Sequence, residues 1–261
     1  ISSFDKNKKF AILEMLFRRA SGECLKNRTV LMLTHDVEPV IDTLKSVRRL
    51  FSNQVTASCL RLSAGVIEEL PVNDGDIMTF MQICKSITAS ADCEEIIKLI
   101  YLRRYFEIVD ERGDAYQLLS NLFHRRVAPL DYREPAAAGS GYPKMAPEKI
   151  QQALRDIQEY VDSFDYPRLQ ALVSSPDEIK NLYRRCRNGY EKLQVFRLLE
   201  LDQDHPVIRK FVNETYHIEN EFICQLDPSR FDLIPEYVIM ECDKLIALPP
   251  AANQSSVARI A

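Results

Sequence analysis

Hydrophobic spacing along the chain changes character twice. Over residues 8–20 (KKFAILEMLFRRA), Phe10, Leu13, Phe17 and Ala20 recur at helical intervals. A polar break, SGECLKN, leads into TVLMLT (29–34), a short continuous apolar run containing a β-branched residue. That pattern predicts a buried strand, of the kind found in parallel sheets. A helix is expected over about 37–50, then strands over 54–62 (QVTASCLRL) and 65–69. Residues 1–70 thus alternate helix, strand, helix, strand, as the closing part of an α/β unit does. From about residue 76 the pattern becomes helical and stays so, with helices expected over 76–90, 93–111, 114–126, 147–164, 167–173, 176–200, 206–225 and 235–247. The stretch 134–146 (EPAAAGSGYPKMA) is small and marked by Gly and Pro, hence a loop or hinge, and 249–261 reads as a frayed tail. No internal repeat is visible.

Composition narrows the function classes. With 46% apolar and 28% charged residues among 261, the chain can bury a real core, or two modest ones. Its formal charge of −4 gives no global attraction to nucleic acid or an anionic membrane, so any RNA site must be a local patch. The seven cysteines are scattered, without CxxC or ligand spacing, as expected for reduced thiols in a cytoplasmic protein. Neither a metal site nor a membrane span is expected.

Two short motifs add chemistry to the first part. Ser2-Ser3-Phe4-Asp5 stands near the start, and the apolar run ends in Thr34-His35-Asp36. In that order and at that distance they resemble the last part of an ABC-type ATPase head, of the SMC-like group within bacterial phage-defence ATPases. The resemblance covers roughly residues 1–50 and implies that Ser3 and Asp5 belong to the D-loop and His35 to the switch at the γ-phosphate. ATP with Mg²⁺ would then be the cofactor of the intact protein. No GxxxxGK[ST] occurs, and LSAG (62–65) follows the switch histidine, so it reads as a strand end. The expectation is therefore a C-terminal fragment of a larger ATPase, its opening residues being the tail of something already under way. It is not expected to be competent in ATP binding alone.

The helical part offers CRNGYEKLQVFRLLE (186–200) and IRKFVNETYHIENEF (208–222). Arg187 and Glu191 stand at i,i+4, and Asn213 and His217 repeat that spacing on the next expected helix. Metal-free RNA cleavage needs a base for the 2′-OH proton, an acid for the leaving oxygen and a cation for the phosphorane. His217 suits the proton work, Arg187 the phosphate, Glu191 the orientation of the histidine or the base, and Asn213 a phosphate oxygen or the ring. The Arg-x3-Glu pair with a later histidine resembles the anticodon-nuclease family, whose effector fold is related to HEPN ribonucleases. The chain departs from the usual HEPN signature, which places a histidine soon after the arginine on one helix.

Taken together these features predict the α/β end of an ABC ATPase head (1–75), a mostly α-helical, HEPN-like domain (76–250) and a tail (251–261). The function this implies is an ATPase-linked, metal-independent ribonuclease in antiviral defence, acting as a homodimer or higher oligomer on a tRNA substrate. The alternative is an ATPase subunit resembling those of Septu or retron systems, whose helices are a non-catalytic scaffold for a separate HNH-type nuclease. A generic SMC-like or DNA-repair head is a third reading. A basic, aromatic-interleaved patch from YLRRYFEI (101–108) and FHRR (123–126) is a further RNA or subunit contact, or else a solvated helix face.

Overall fold

The computed structural model describes residues 29–34, 37–48, 54–63, 65–110, 112–134, 141–201, 205–210, 224–232 and 234–247. These fall into two compact units, one from residues 1–80 with 222–231, the other from 81–221 with 232–261.

The first unit contains a short helix, α1 (Val37–Asp42), continued by a π-helical turn over Thr43–Val47. Two hairpin strands follow, β1 (Ala57–Ser63) and β2 (Val66–Val72), paired antiparallel with Leu62 opposite Ile67 and Ala57 opposite Val72. Gly65 has φ +81°, a backbone region open mainly to glycine, and it turns the chain between the strands. LSAG is thus a strand end, as expected. Alternation along the hairpin divides its faces. Ala57, Cys59, Leu70 and Val72 turn to a core built on Ile41, Leu44, Ile77, Leu226 and Phe231. Leu60, Leu62 and Ile67 on the opposite face are exposed.

Three expectations for this region need correction. Residues 29–34 form neither strand nor helix, and Leu31 and Leu33 are 82% and 78% exposed. No strand among the described residues lies alongside to take up their backbone hydrogen bonds, and a lone strand cannot satisfy its own. The helix expected over 76–90 starts late: β3 (Ile77–Thr79) precedes α2 (Phe80–Ala89). The end of the helix expected over 206–225 is β4 (Cys224–Leu226), which pairs antiparallel with β3. Both described sheets are two-stranded and antiparallel, so the parallel sheet is not found among the described residues.

Aspartate 76 joins these pieces. Its carboxylate accepts the Asn73 amide at 2.7 Å and both of its oxygens accept Arg230 Nη1, at 2.6 and 2.7 Å. Burial pushes its carboxyl up, but the Asn73 amide and the Arg230 guanidinium outweigh this and hold it below the ordinary value.

The second unit is helical: α3 (Glu95–Val109), α4 (Asp114–Phe123), α5 (Pro147–Gln158), α6 (Tyr166–Ser174), α7 (Pro176–Arg185), α8 (Gly189–Arg197) and α9 (Glu236–Ala247), with α2 leading in. Local chemistry sets several starts. Asp165, Ser175 and Asn188 are N-caps whose side chains accept the amides of Arg168, Glu178 and Glu191. Pro167 and Pro176 occupy the first turns of α6 and α7, where a missing N–H costs nothing. Leu118, Leu119 and Leu122 of α4, with Ile157, Leu169 and Phe196 from its neighbours, are fully buried and form the centre of this unit. The long connection after α4 is held by Asn121, which is buried. Its Nδ2 donates to Leu130 O and its Oδ1 accepts Leu130 N, both at 2.8 Å.

Candidate functional site

Of the residues that sequence reasoning selected, Ser3, Asp5, His35, Asn213 and His217 lie outside the described residues. Arg187 and Glu191 are described, and they differ from expectation in one respect. The helix expected over 176–200 is broken: α7 ends at Cys186, whose ψ of 140° leaves the helical region, and α8 starts at Gly189 behind the N-cap Asn188. Arg187 therefore stands ahead of the helix that carries Glu191. Asn188 and Gly189, both poor in helix interiors and good at their ends, account for the break.

The pair meets all the same. Glu191 is fully buried, at the third position of α8. One of its oxygens accepts the backbone amide of Arg187 at 2.8 Å; the other accepts Arg187 Nε at 3.0 Å and Nη2 at 2.6 Å. The carboxylate thus closes the α8 N-terminus as in a capping box displaced by one residue, while it grips a guanidinium. Hydrogen bonds to Glu191 raise the pKa of Arg187 further, so its charge is permanent. The Arg187 side chain remains 37% exposed, with one edge of the fork committed to Glu191.

Around the pair the environment is dry. Burial pushes the Cys93 thiol up to about 11 and the Cys186 thiol up to about 12, so both stay neutral near pH 7. Cys186 Sγ donates to Leu182 O at 3.4 Å. Tyr101, fully enclosed, stacks obliquely on Tyr190 of α8, with ring centres 5.6 Å apart. Gly189 donates its amide to Asp232 Oδ2 at 2.6 Å, and a Cβ at this position would fall 2.9 Å from both Asp232 Oδ1 and Ile234 Cβ. Glycine is here because the side chains of Asp232 and Ile234 lie too close to leave room for one at position 189.

The basic run YRRCR (183–187) is less uniform than its letters suggest. Tyr183 is buried and donates to Asp243 Oδ1 at 2.9 Å. Arg184 and Arg185 are exposed, the latter paired with Glu94 at 2.7 Å. The patch expected from 101–108 and 123–126 is largely interior: Arg103 donates to Ser120 Oγ and Tyr116 Oη, both at 2.9 Å, and Arg104 is buried against Glu107 at 2.6 Å. Arg125 donates to Leu198 O. Arg103 and Arg125 thus tie α3 and the end of α4 to their neighbours, Arg104 pairs within α3, and His124 and Arg126 are exposed. His205 precedes the helical turn 206–210, accepting from Arg209, as its place before Pro206 predicts.

Sequence reasoning passed over three residues that the structure makes prominent. Asp131 is buried and accepts Arg133 Nε at 2.9 Å and Lys149 Nζ at 2.8 Å. Asp76 and Asp232 anchor the segment carrying β4. Their contacts with Arg230 and Gly189 span long stretches of sequence, and only the turns to Asn73 and Ile234 are local. An apolar cavity of about 340 Å³, lined by Leu118, Ile150, Leu154, Phe164 and Tyr166, is formed by other residues than Arg187 and Glu191. Among the described residues no three His, Cys, Asp or Glu side chains come together as a metal-binding group. No helix among them is long and apolar enough to cross a membrane. Compared with protein-family models, curated proteins and solved structures, the chain matches none.

Proposed function

We propose that this chain is the C-terminal part of an ABC-like ATPase of antiviral defence, whose helical unit carries a metal-independent, anticodon-nuclease-like ribonuclease centre. The observation that supports the nuclease part is the Arg187–Glu191 clamp. A permanently charged guanidinium is held at a half-exposed position by a buried carboxylate, an arrangement suited to a phosphate oxygen. In this reading Glu191 is a positioning residue and not the base. Both of its oxygens already accept protein donors and solvent does not reach it. His217 takes and returns protons: the 2′-OH loses its proton as its oxygen bonds to phosphorus, and the 5′-oxygen leaves with a proton. Asn213 orients the ring or a phosphate oxygen.

The ATPase part rests on the SSFD and THD motifs alone. Ser3, Asp5 and His35 are outside the described residues, and the sequence has no GxxxxGK[ST] to cradle the phosphates. The cytoplasm, homodimers or higher oligomers and a tRNA substrate belong to the same proposal.

A second reading has its own support. The clamp is also a sufficient helix cap, and a fully enclosed Glu191 needs no catalytic explanation. On that ground the helical unit is a scaffold that docks a separate HNH-type nuclease. Incubating the full-length protein with tRNA separates the two readings. Cleavage that disappears in His217→Ala while ATP turnover persists supports the ribonuclease. Cleavage that survives that change, or that requires a second protein, supports the scaffold.

A further inference from the structure

We infer that the apolar cavity of the helical unit is a binding site for a small organic cation, an apolar, ring-sized body bearing a primary ammonium. The inference is independent of the ribonuclease reading, since neither Arg187 nor Glu191 lines the cavity.

The cavity lies within one unit and is made by elements that follow one another in the chain. Leu118 comes from α4, Ile150, Leu154 and Gln158 from α5, and Phe164 and Asp165 from the link that leads into α6. Burial grades across it. Leu118, Phe164 and Tyr166 are buried, Ile150 and Leu154 are half-buried, and Gln158, Asp165 and Pro167 are exposed. The floor is therefore apolar and the rim polar, the usual division of a small-molecule site. Its volume of about 340 Å³ is roughly twice the ~150 Å³ of a cavity that takes up benzene, enough for a ring with a short tail.

The charge of that tail follows from what the rim has left to offer. Its side-chain donors are engaged: Gln158 Nε2 donates to Phe164 O at 3.1 Å and Tyr166 Oη to Arg126 O at 2.6 Å. Pro129 and Pro167, which also line the cavity, have no N–H to give. Acceptors remain. Asp165 Oδ1 takes the Arg168 amide at 2.7 Å, while Oδ2, like Gln158 Oε1, receives no donor among the described residues. The Arg168 guanidinium is spent on both oxygens of Glu95, at 2.8 Å each. Between 156 and 165 the chain carries Asp156, Glu159, Asp162 and Asp165 and neither Lys nor Arg, so the local field favours a cation. A carboxylate oxygen beside an amide oxygen suits an ammonium, which has three donors and no acceptor.

Titration of the full chain with 2-phenylethylamine, followed by NMR, tests the site. The amine should saturate below about 1 mM and shift the signals of Leu118, Leu154 and Phe164. The alcohol 2-phenylethanol, close in shape but neutral, should bind about fivefold more weakly or worse, and the anion phenylacetate should not bind. Asp165→Asn keeps the α6 cap, because Asn caps as well as Asp, and should weaken the amine about tenfold while leaving the alcohol unchanged. Leu154→Trp, which fills the cavity, should remove the binding of both; if that variant fails to fold, Asp165→Asn still decides. The inference is overturned by no saturation with the amine up to about 10 mM, by equal affinity for amine and alcohol, or by wild-type affinity for the amine in Asp165→Asn.

Discussion

Glu191 shows how much one buried carboxylate can organise. It collects three hydrogen bonds from a single arginine and gives its own amide to Asn188. Glu191→Ala would strand the Arg187 amide and the start of α8, at a cost of about 1–3 kcal/mol in urea unfolding. Glu191→Gln keeps the shape but cannot satisfy both donors of the guanidinium as an anion does. It should cost less stability while lowering RNA cleavage at least tenfold, if Arg187 holds phosphate. Asp131 gives a second test at this scale. Hydrogen bonds from the Arg133 side chain, then from Lys149, hold its carboxyl well below the usual range, against the pull of burial. A depressed carboxylate contributes its stability in full above the unfolded value of about 3.9, and loses it as pH falls through the lower folded value. Acid unfolding of Asp131→Asn should therefore be shallower than that of the wild type below about pH 4, while at pH 7 the variant is less stable by about 1–3 kcal/mol. An unchanged acid slope would show that the network contributes nothing.

At the scale of elements, what could be read from the letters was whatever local chemistry decides. Helices α3 to α6 and α9 lie where periodicity placed them, α7 takes only the first part of the expected 176–200, and the starts of α6 and α7 coincide with Asp-Tyr-Pro and Ser-Pro-Asp signals. The two strands read as helix share one cause. Residues 77–79 and 224–226 are apolar enough for either helix or strand, and each becomes a strand because the other is there to pair with it. The same logic in reverse removes the strand from 29–34: its letters suit a parallel sheet, but the described residues offer it no neighbour. Asn188 was legible as a cap only after the helix had been cut at the right place. Asn188→Ala should destabilise the chain by about 1 kcal/mol in urea unfolding, most of it at α8. An effect below a few tenths of a kcal/mol would mean that α8 starts without its cap. The outer face of the β1–β2 hairpin gives the contrasting case. Leu62→Thr, at a position 68% exposed, should change stability of this chain by less than about 0.5 kcal/mol.

For the whole molecule, each unit has its own buried core, and the chain passes between them at Phe80–Met81, before Phe222 and after Phe231. Sequence reasoning assigned chemistry to both units but saw only linear neighbours: it paired Arg187 with Glu191 by helical spacing, where the contact is made ahead of α8 by a capping carboxylate, and it did not single out Asp76 or Asp232. The central claim is that Arg187 and His217 act together on RNA, under the control of an ATPase of which Asp5 and His35 are part. It is tested most directly by incubating full-length protein with tRNA and ATP, comparing wild type with His217→Ala and Arg187→Ala, and following RNA cleavage and phosphate release side by side. The account predicts that both substitutions abolish cleavage and leave ATP turnover near the wild-type rate. RNA cut at the wild-type rate by either variant would contradict it.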